Sequence, residues 1–261
     1  MSDVQGRPGS TMSTERRYGI AISVALILGG VYWALTGLTE GTKTSQDSYQ
    51  VQGDALRIES GSAEVEVRAG DESDVKIERQ FERNVFGSDP KEKYDDGKLE
   101  LKDTGCGFLS LGCKTNYVLT VPRNLKVTLK SSSGDIKVSG LDGADLKSSS
   151  GSIEVHDIGG SLRLESSSGD LEAQDLRATT VSTESSSGSV DLDFAVPPQL
   201  VEAKASSGHV AIRIPSDDMP YKVDTDTSSG DDSTTVKMDP TATRTITAKT
   251  SSGDVTVEYN Q

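Results

Sequence analysis

A serine-rich tripeptide followed by glycine recurs through the second half of the chain, and it constrains the fold more than any other feature. The spacing between successive copies lengthens from 17 residues (Gly134 to Gly151) to 23 residues (Gly230 to Gly253). A period near 20 residues that recurs many times is typical of a solenoid, whereas a linker or a catalytic loop does not repeat in this way. The corner glycines are Gly134, Gly151, Gly169, Gly188, Gly208, Gly230 and Gly253.

Apolar residues alternate with polar ones directly after most of these glycines. Charged side chains such as Lys137, Glu154 and Glu172 stand between them. A period of two predicts short β-strands with one face in a core. Further apolar residues about seven and twelve positions after the glycine indicate about three inward-facing strands or half-strands per repeat. The first apolar positions are Ile136, Val138, Ile153, Val155, Leu171, Ala173, Val190, Leu192, Val210, Ile212, Val255 and Val257.

Such short strands cannot bury an apolar face alone, but coils stacked about 4.8 Å apart would form a continuous aliphatic column. We therefore predict an all-β fold in which residues 122–261 form a parallel β-solenoid, a β-helix or β-roll, with coils of roughly 17 to 23 residues. Glycine at each corner permits a positive φ angle, and the serine hydroxyls can bond the turn. The serine triplet is therefore interpreted as structural and not catalytic.

The coil that begins at Gly230 departs from the repeat. Asp232 and Thr234 stand where other coils carry apolar residues, which indicates a bulge or local loop. The last segment, VTVEYN, is predicted to leave an open strand edge that must be capped, twisted away or paired. Stacking on a second copy of the chain is one expectation for that edge.

Residues 51–121 carry strand-like runs without the serine–glycine period, and they are interpreted as an N-terminal cap with the first coils. The segment around Gly61 resembles a degenerate first corner. Cys106 and Cys113 lie in CGFLSLGC, a spacing that suits a small disulfide-closed loop in an oxidising compartment. Two reduced thiols are the alternative, and a metal site would need more soft ligands nearby.

Residues 18–38 contain no charged side chain and are long enough to cross the roughly 30 Å hydrocarbon core of a bilayer as a helix. Three arginines precede this segment and only Lys43 follows closely, so residues 1–17 are predicted to be a cytoplasmic tail. The expectation is an uncleaved single-pass anchor in the cytoplasmic membrane, a linker at residues 39–50, and a periplasmic or extracellular C-terminal domain. A cleaved signal peptide is the alternative.

Composition disfavours several classes of function. The formal net charge of −14 argues against nucleic acid, because a binder must neutralise phosphates with clustered basic residues. Aromatic residues make up 5% of the chain, so platforms for stacking on sugars or bases are scarce. The two histidines, His156 and His209, fall at positions that the alternation predicts to face solvent, so neither is expected to act as a general base.

Aspartates follow four corner glycines, at Asp135, Asp170, Asp231 and Asp254. Stacked carboxylates could bind calcium, as in calcium-binding β-rolls, but the nonapeptide of those rolls is absent and other residues interrupt the column. The simpler interpretation is that each aspartate bonds the turn. We therefore expect no metal and no cofactor, with calcium as the alternative.

The stretch YVLTVPRNLKVTLKSSSGDIKVSGLDG, followed by corners in register, resembles a bacterial family of proposed adhesins of unknown function with β-strand repeats. The resemblance covers residues 118–257 and includes an echo of the VP dipeptide in AVPPQL. It implies a right-handed parallel β-helix or β-roll in the cell envelope, following a membrane segment or a signal peptide. It supplies no catalytic residues.

The leading hypothesis is a non-catalytic, membrane-anchored envelope protein that presents a β-solenoid as an adhesion, binding or structural surface. Its partners would be the membrane, through residues 18–38, and an envelope protein or cell-wall material. Two alternatives are the ectodomain of an envelope-stress signalling complex and a β-helical enzyme that acts on polysaccharides. The enzyme is disfavoured because charged residues scatter along the strands and aromatic residues are scarce.

Overall fold

The chain is all-β throughout the part that the structure describes. The structure is a computed structural model, and it describes residues 40–51, 53–71, 73–83, 91–102 and 115–260. These residues form twenty-one strands in two sheets, of eleven and ten strands, which enclose one hydrophobic core. The parallel all-β fold predicted from the repeat is therefore confirmed.

The predicted membrane segment, residues 18–38, and the predicted disulfide between Cys106 and Cys113 lie outside the described residues. Within the described ranges, no helix has the length and hydropathy of a membrane span.

The strands fall into an N-terminal group, a regular repeat and a C-terminal group. The N-terminal strands are β1 (Glu40–Tyr49), β2 (Ala55–Ser60), β3 (Glu64–Gly70), β4 (Val75–Arg83), β5 (Lys91–Asp95), β6 (Lys98–Lys102) and β7 (Thr115–Pro122). The regular repeat holds β8 (Lys126–Ser131), β9 (Ile136–Ser139), β10 (Gly143–Ser148), β11 (Ile153–His156), β12 (Ser161–Ser166), β13 (Leu171–Leu176), β14 (Thr180–Ser185), β15 (Val190–Phe194), β16 (Leu200–Ser207) and β17 (Val210–Ile214). The C-terminal strands are β18 (Lys222–Thr227), β19 (Asp232–Thr234), β20 (Thr245–Ser252) and β21 (Val255–Tyr259).

Each coil of the regular repeat contributes one strand to each sheet, and successive coils pair in parallel and in register. Ile153 pairs with Ile136 on one side and with Leu171 on the other. All three side chains are buried. Equivalent aliphatic side chains therefore lie over one another, as the alternation predicted.

Each coil has two strands, and the prediction of about three strands or half-strands is wrong. Leu141 and Ile158, seven positions after their glycines, are fully buried but lie in the turn that returns the chain to the second sheet. These side chains close the core at the edge opposite the serine corner. In these two coils the position therefore fills the core from a turn, whereas the equivalent Leu176 of the next coil is the last residue of β13.

The corner glycines stack directly on one another, and the reason for glycine is mainly steric. A Cβ on Gly169 would lie 2.2 Å from the carbonyl oxygen of Gly151, closer than two such atoms can approach. Positive φ angles occur only at Gly208, Gly230 and Gly253 among the seven corners. The expectation of a positive φ is wrong for the four full SSSG corners, where backbone crowding excludes a side chain.

The first serine of each SSSG triplet is buried at the corner, and the next two serines are exposed. Ser131 Oγ donates to the carbonyl oxygen of Gly134 at 2.8 Å. In later coils the bond runs the other way, since the Gly169 N–H donates to Ser166 Oγ at 2.8 Å. In these coils the buried hydroxyl thus closes the turn, as donor or as acceptor, whereas Ser148 Oγ is buried without a hydrogen-bond partner.

The order of the strands in space departs from the order in sequence at the C-terminal end. The last coil, β20 and β21, lies between the coil of β16 and β17 and the coil of β18 and β19. The prediction that VTVEYN forms an open edge is therefore wrong, because it belongs to an interior strand. Among the described strands, the open edges at this end are β18 and β19.

This arrangement explains the irregular coil that begins at Gly230. Asp232 and Thr234 pair in unbroken register with Val255 and Val257, so this pairing contains no bulge. They can occupy inward positions because their coil is the last rung. Thr225 Oγ1 donates to Asp232 Oδ2 at 2.7 Å and closes the end of the column with polar groups.

The N-terminal end is arranged similarly. The coil of β2 and β3 stacks on β8 and β9, while β6 and β7 lie outside it and β1 and β5 form the edges. Residues 40–49, assigned above to a linker, form β1, which pairs antiparallel with β4. The polar composition of this strand concealed it from an analysis based on apolar alternation. The segment around Gly61 forms a true corner, because its backbone stacks directly on the next corner glycine. A Cβ added to Gly134 would lie 1.9 Å from the carbonyl oxygen of Ala63.

Candidate functional site

The serine corners form one exposed edge of the solenoid, which we call the serine ridge. Each corner contributes two adjacent exposed serines, and corners follow one another at the strand spacing of about 4.8 Å. The ridge is therefore a regular double row of hydroxyl groups on rigid turns. Its members are Ser132, Ser133, Ser149, Ser150, Ser167, Ser168, Ser186, Ser187, Ser206, Ser207, Ser228, Ser229, Ser251 and Ser252.

The residues directly after the corner glycines connect neighbouring coils. Asp135 Oδ1 accepts a hydrogen bond from the Ser152 N–H at 2.9 Å, and Asp170 Oδ1 accepts one from the Ser189 N–H at 2.8 Å. These aspartates thus bond the turn of the next coil. Within the described ranges, no group of three or more His, Cys, Asp or Glu side chains is arranged to hold a metal ion.

His209 belongs to the same column of connecting residues. Its Nδ1 accepts a hydrogen bond from the Asp254 N–H at 3.1 Å, and the side chain is 66% exposed. The Asp254 carboxylate in turn accepts a hydrogen bond from the Asp231 N–H at 2.9 Å. His209 therefore replaces an acceptor oxygen in a structural ladder, and its position in solvent agrees with the alternation.

His156 is the centre of the arrangement that most resembles a catalytic triad. Its Nε2 lies 2.7 Å from Asp175 Oδ2, and its strand neighbour on the other side is Ser139. The His156 and Asp175 side chains are 56% and 65% exposed. Nucleophilic catalysis requires a histidine bonded to the nucleophile and a pocket that excludes water. The open position of these two side chains does not provide such a pocket.

These residues lie in a groove on the outer face of the eleven-stranded sheet, with a volume of about 380 Å³. Lys137 lies 3.6 Å from Glu64 and 3.5 Å from Glu154 across the groove. The attraction of Glu154 and then of Glu64 raises the pKa of Lys137. Lys137 thus bridges carboxylates of neighbouring coils, while the groove as a whole carries more carboxylates than basic side chains, since Glu66, Glu154 and Glu172 line it.

The outer face of the ten-stranded sheet carries a second groove of about 550 Å³. Hydroxyl-bearing and small residues, including Thr128, Ser161 and Thr180, line its floor. Beside it, Lys147 Nζ donates to Glu165 Oε2 at 2.6 Å, and Arg163 bonds the same carboxylate. Hydrogen bonds from Lys147 and Arg163 lower the pKa of Glu165.

The N-terminal end of the core is closed by a polar cluster that the sequence analysis missed. We call Tyr49, Arg79 and Glu92 the cap cluster. Arg79 Nη1 donates to Glu92 Oε2 at 2.7 Å, and the Tyr49 hydroxyl donates to Glu92 Oε1 at 3.0 Å. The Arg79 and Glu92 side chains are 14% and 4% exposed. Arg79 occupies an inward position of the alternating run VKIERQF, and that mismatch was the available signal.

The environment of Tyr49 perturbs its titration. Burial, followed by the hydrogen bond to Glu92, raises the pKa of Tyr49 to about 12. Its ring also lies 5.2 Å from that of Tyr94, centroid to centroid. The cluster thus joins β1 and β4 of one sheet to β5 of the other.

We call residues 215–242, the outermost coil at the other end, the C-terminal tip. Arg244, from the neighbouring coil, forms an ion pair with Asp217 and lies 5.4 Å from the centre of the buried Tyr221 ring. The tip also exposes two large apolar side chains, Met219 at 52% and Met238 at 59%. They are more exposed than Val196 and Leu200, the other large apolar side chains on the described surface, at 37% and 44%.

Comparison with known proteins identifies related sequences and folds. The sequence model described as Toastrack DUF4097 matches residues 54–261. No protein with a curated description matches the chain.

Several crystal structures share the architecture. A proposed adhesin from Bacteroides fragilis superimposes with a TM-score of 0.51 at 16% identity, over 84% of this chain and 97% of that chain. A proposed lipid-binding protein from Parabacteroides distasonis gives 0.44 at 15% identity, over 85% of this chain and 98% of that chain. A proposed cell adhesion protein from Clostridium sporogenes gives 0.42 at 11% identity, over 84% of this chain and 100% of that chain. At these identities the similarity concerns the fold alone.

Proposed function

Because the chain belongs to the Toastrack DUF4097 family, we propose that it is a non-catalytic, membrane-anchored protein of the bacterial envelope that presents its β-solenoid as a binding surface. The observation that carries this proposal is the pair of long, in-register outer faces. A sheet of eleven strands extends about 50 Å at the usual strand spacing. Such faces hold many polar side chains in fixed relative positions, which suits recognition of an extended partner.

The charge pattern supports binding over catalysis. Ion pairs connect neighbouring coils on both faces, for example Lys137 with Glu154 on the eleven-stranded sheet and Lys147 with Glu165 on the ten-stranded sheet. Paired charges on a rigid scaffold lose little conformational entropy when a partner docks. The description of the Bacteroides fragilis relative as a proposed adhesin is consistent with this role.

Anchoring is supported by the apolar segment at residues 18–38, which ends two positions before β1 begins at Glu40. If that segment spans the bilayer, the solenoid has almost no linker, and its N-terminal end is held near the membrane. The coils would then stack away from the membrane, with the C-terminal tip farthest from it.

Cell fractionation and protease accessibility test this topology. We expect the full-length chain in the membrane fraction after alkaline carbonate extraction, with its C-terminal domain cleaved by external protease in spheroplasts. Release of the chain by carbonate, or protection of the C-terminal domain in spheroplasts, would contradict the proposal.

A separate experiment tests the non-catalytic part. The purified full-length chain would be incubated with peptidoglycan, envelope polysaccharides and model esters, in parallel with Ser139→Ala and His156→Ala variants. We expect no product above background from any of the three proteins. Turnover by the wild type that both variants lose would establish an enzyme and overturn this part of the proposal.

A further inference from the structure

We propose that the C-terminal tip is a docking site at which an extended basic segment of a partner protein adds a strand to the open edge of β18. This inference rests on the proposed binding function, and it names the surface and the chemistry of the partner. Three features of the tip support it: an unpaired strand edge, exposed methionines and a concentration of negative charge.

The strand edge offers main-chain hydrogen-bonding groups. β18 is the terminal strand of the ten-stranded sheet. The Lys222 N–H donates to the Arg244 carbonyl oxygen at 2.8 Å, so the main chain of Lys222 faces the neighbouring strand β20. Since successive peptide groups of a strand point in opposite directions, those of Val223 and Thr225 face away from the sheet. They can pair with an added strand, as in β-augmentation.

Apolar groups beside this edge can contact the side chains of an added strand. Val223 is only partly buried against the core, because no further rung covers it. Met238 pairs with Tyr221, the residue directly before β18, and is 59% exposed. An added strand that places apolar side chains over Val223 would complete the end of the column.

The charge of the tip determines the chemistry of the partner. Residues 215–242 contain seven aspartates and two lysines, a formal net charge of −5. Asp224 and Asp226 are exposed at alternate positions of β18, and Asp224 Oδ2 also lies 2.8 Å from Lys249 Nζ of the neighbouring strand β20. Opposite charges at facing positions of paired strands are favourable. The best partner segment therefore alternates basic residues, which face these aspartates, with apolar residues, which cover the core.

A second copy of the chain fits this edge less well. Two β18 edges placed together would bring Asp224 and Asp226 of each copy against the same residues of the other, which is unfavourable. The edge strand β5 does carry Lys91 and Lys93 at alternate positions, and it could pair with β18 head to tail. Two copies anchored in one membrane by their N-terminal ends cannot adopt that arrangement.

The test uses the full-length chain in detergent and a short fluorescent peptide that alternates lysine with valine. We expect saturable binding by fluorescence anisotropy that weakens with added salt. Hydrogen exchange should slow at the Val223 and Thr225 amides when the peptide is bound. A peptide of the same composition with its lysines and valines in separate blocks should bind much more weakly.

Two variants locate the site. Asp224→Asn/Asp226→Asn should weaken binding about fivefold, since each exposed cross-strand pair contributes a modest amount. The matched control Asp145→Asn/Glu184→Gln removes equal charge from interior strands of the same sheet and should bind as the wild type does. Thr225→Pro removes an outward N–H without removing a main-chain bond to β20, but it also removes the Thr225–Asp232 hydrogen bond. Thr225→Val loses only that hydrogen bond and should bind as the wild type does, whereas Thr225→Pro should abolish binding, provided that circular dichroism shows an intact fold.

Equal binding of the Asp224→Asn/Asp226→Asn variant and its control, or of the alternating and block peptides, would overturn the proposal. Concentration-dependent self-association in sedimentation that Thr225→Pro removes would assign the tip to a second copy and also overturn it. Because binding is measured in detergent, these results are independent of the topology experiment, so the failure of one is distinguishable from the failure of the other.

Discussion

Glycine at the serine corner is required because neighbouring backbones approach too closely for any side chain. The corner also buries one hydroxyl, which at Ser131, Ser166 and Ser185 bonds the turn from inside, while the two following serines remain in solvent. The repeat of SSSG therefore encodes two separate requirements, for space and for a hydrogen bond. The exposed serines are free of both, so they are the positions at which the surface can vary without cost to the fold.

Gly169→Ala tests the steric requirement. The added Cβ would lie 2.2 Å from the Gly151 carbonyl oxygen, so the stacked turns must separate. We expect a loss of about 2 kcal/mol or more in the free energy of unfolding, measured by urea denaturation. Ser168→Ala, at the exposed neighbouring position, is the matched control and should change stability by less than about 0.5 kcal/mol. Equal stability of the two variants would show that the corner is not crowded.

Tyr49 gives a pH-dependent signature of the cap cluster. Its folded pKa of about 12 lies above the ordinary value of 10.0, so folding favours the neutral phenol. The stabilising contribution is complete below about pH 10, the unfolded value, and is lost as pH rises through the folded pKa. In a carbon NMR titration, the tyrosine resonance that Tyr49→Phe removes should have its midpoint near pH 12. A midpoint near pH 10 would contradict the structure of the cluster.

At the scale of the strand, the two ends of the column differ from its middle in one respect. Interior strands place aliphatic side chains inward, whereas the terminal strands β1, β5 and β19 place polar or charged groups there. A terminal rung has no neighbour to cover its inward face, so polar groups cost less and can bond one another. The same polarity explains why apolar alternation predicted the strands from β8 to β17 well and missed β1.

Glu92→Gln tests the contribution of the cap. The substitution leaves the mostly buried Arg79 guanidinium without its buried carboxylate partner, which typically costs roughly 3–5 kcal/mol. Asp47 also pairs with Arg79 and compensates in part, so we expect a loss of about 2 kcal/mol. Glu184→Gln, at an exposed interior strand, is the control and should be nearly neutral in the same denaturation assay. A neutral Glu92→Gln would mean that the cap contributes no stability.

For the whole molecule, the sequence predicted the architecture but not the order of all the coils. The repeat established two features, the stacking of Ile136, Ile153 and Leu171 and the solvent position of the histidines. It could not indicate that the last coil inserts before the Gly230 coil, because both coils carry the same corner and differ only in the polarity of two inward residues. The candidate docking surface depends on this order of the last two coils. Because the sequence does not reveal the order, it placed the open edge on β21 and not on β18.

The most direct test of the account is a set of methyl–methyl nuclear Overhauser contacts along the column. The structure predicts contacts from Ile136 to Ile153 and from Ile153 to Leu171, and it also predicts one from Ile212 to Val257, since these residues pair across neighbouring strands. A continuous series that includes the Ile212–Val257 contact would establish both the stacked core and the interior position of the last coil. If the contacts of Ile153 with Ile136 and Leu171 are absent, the solenoid is contradicted. If the Ile212–Val257 contact is absent, the open edge would lie at β21, as the sequence alone predicted.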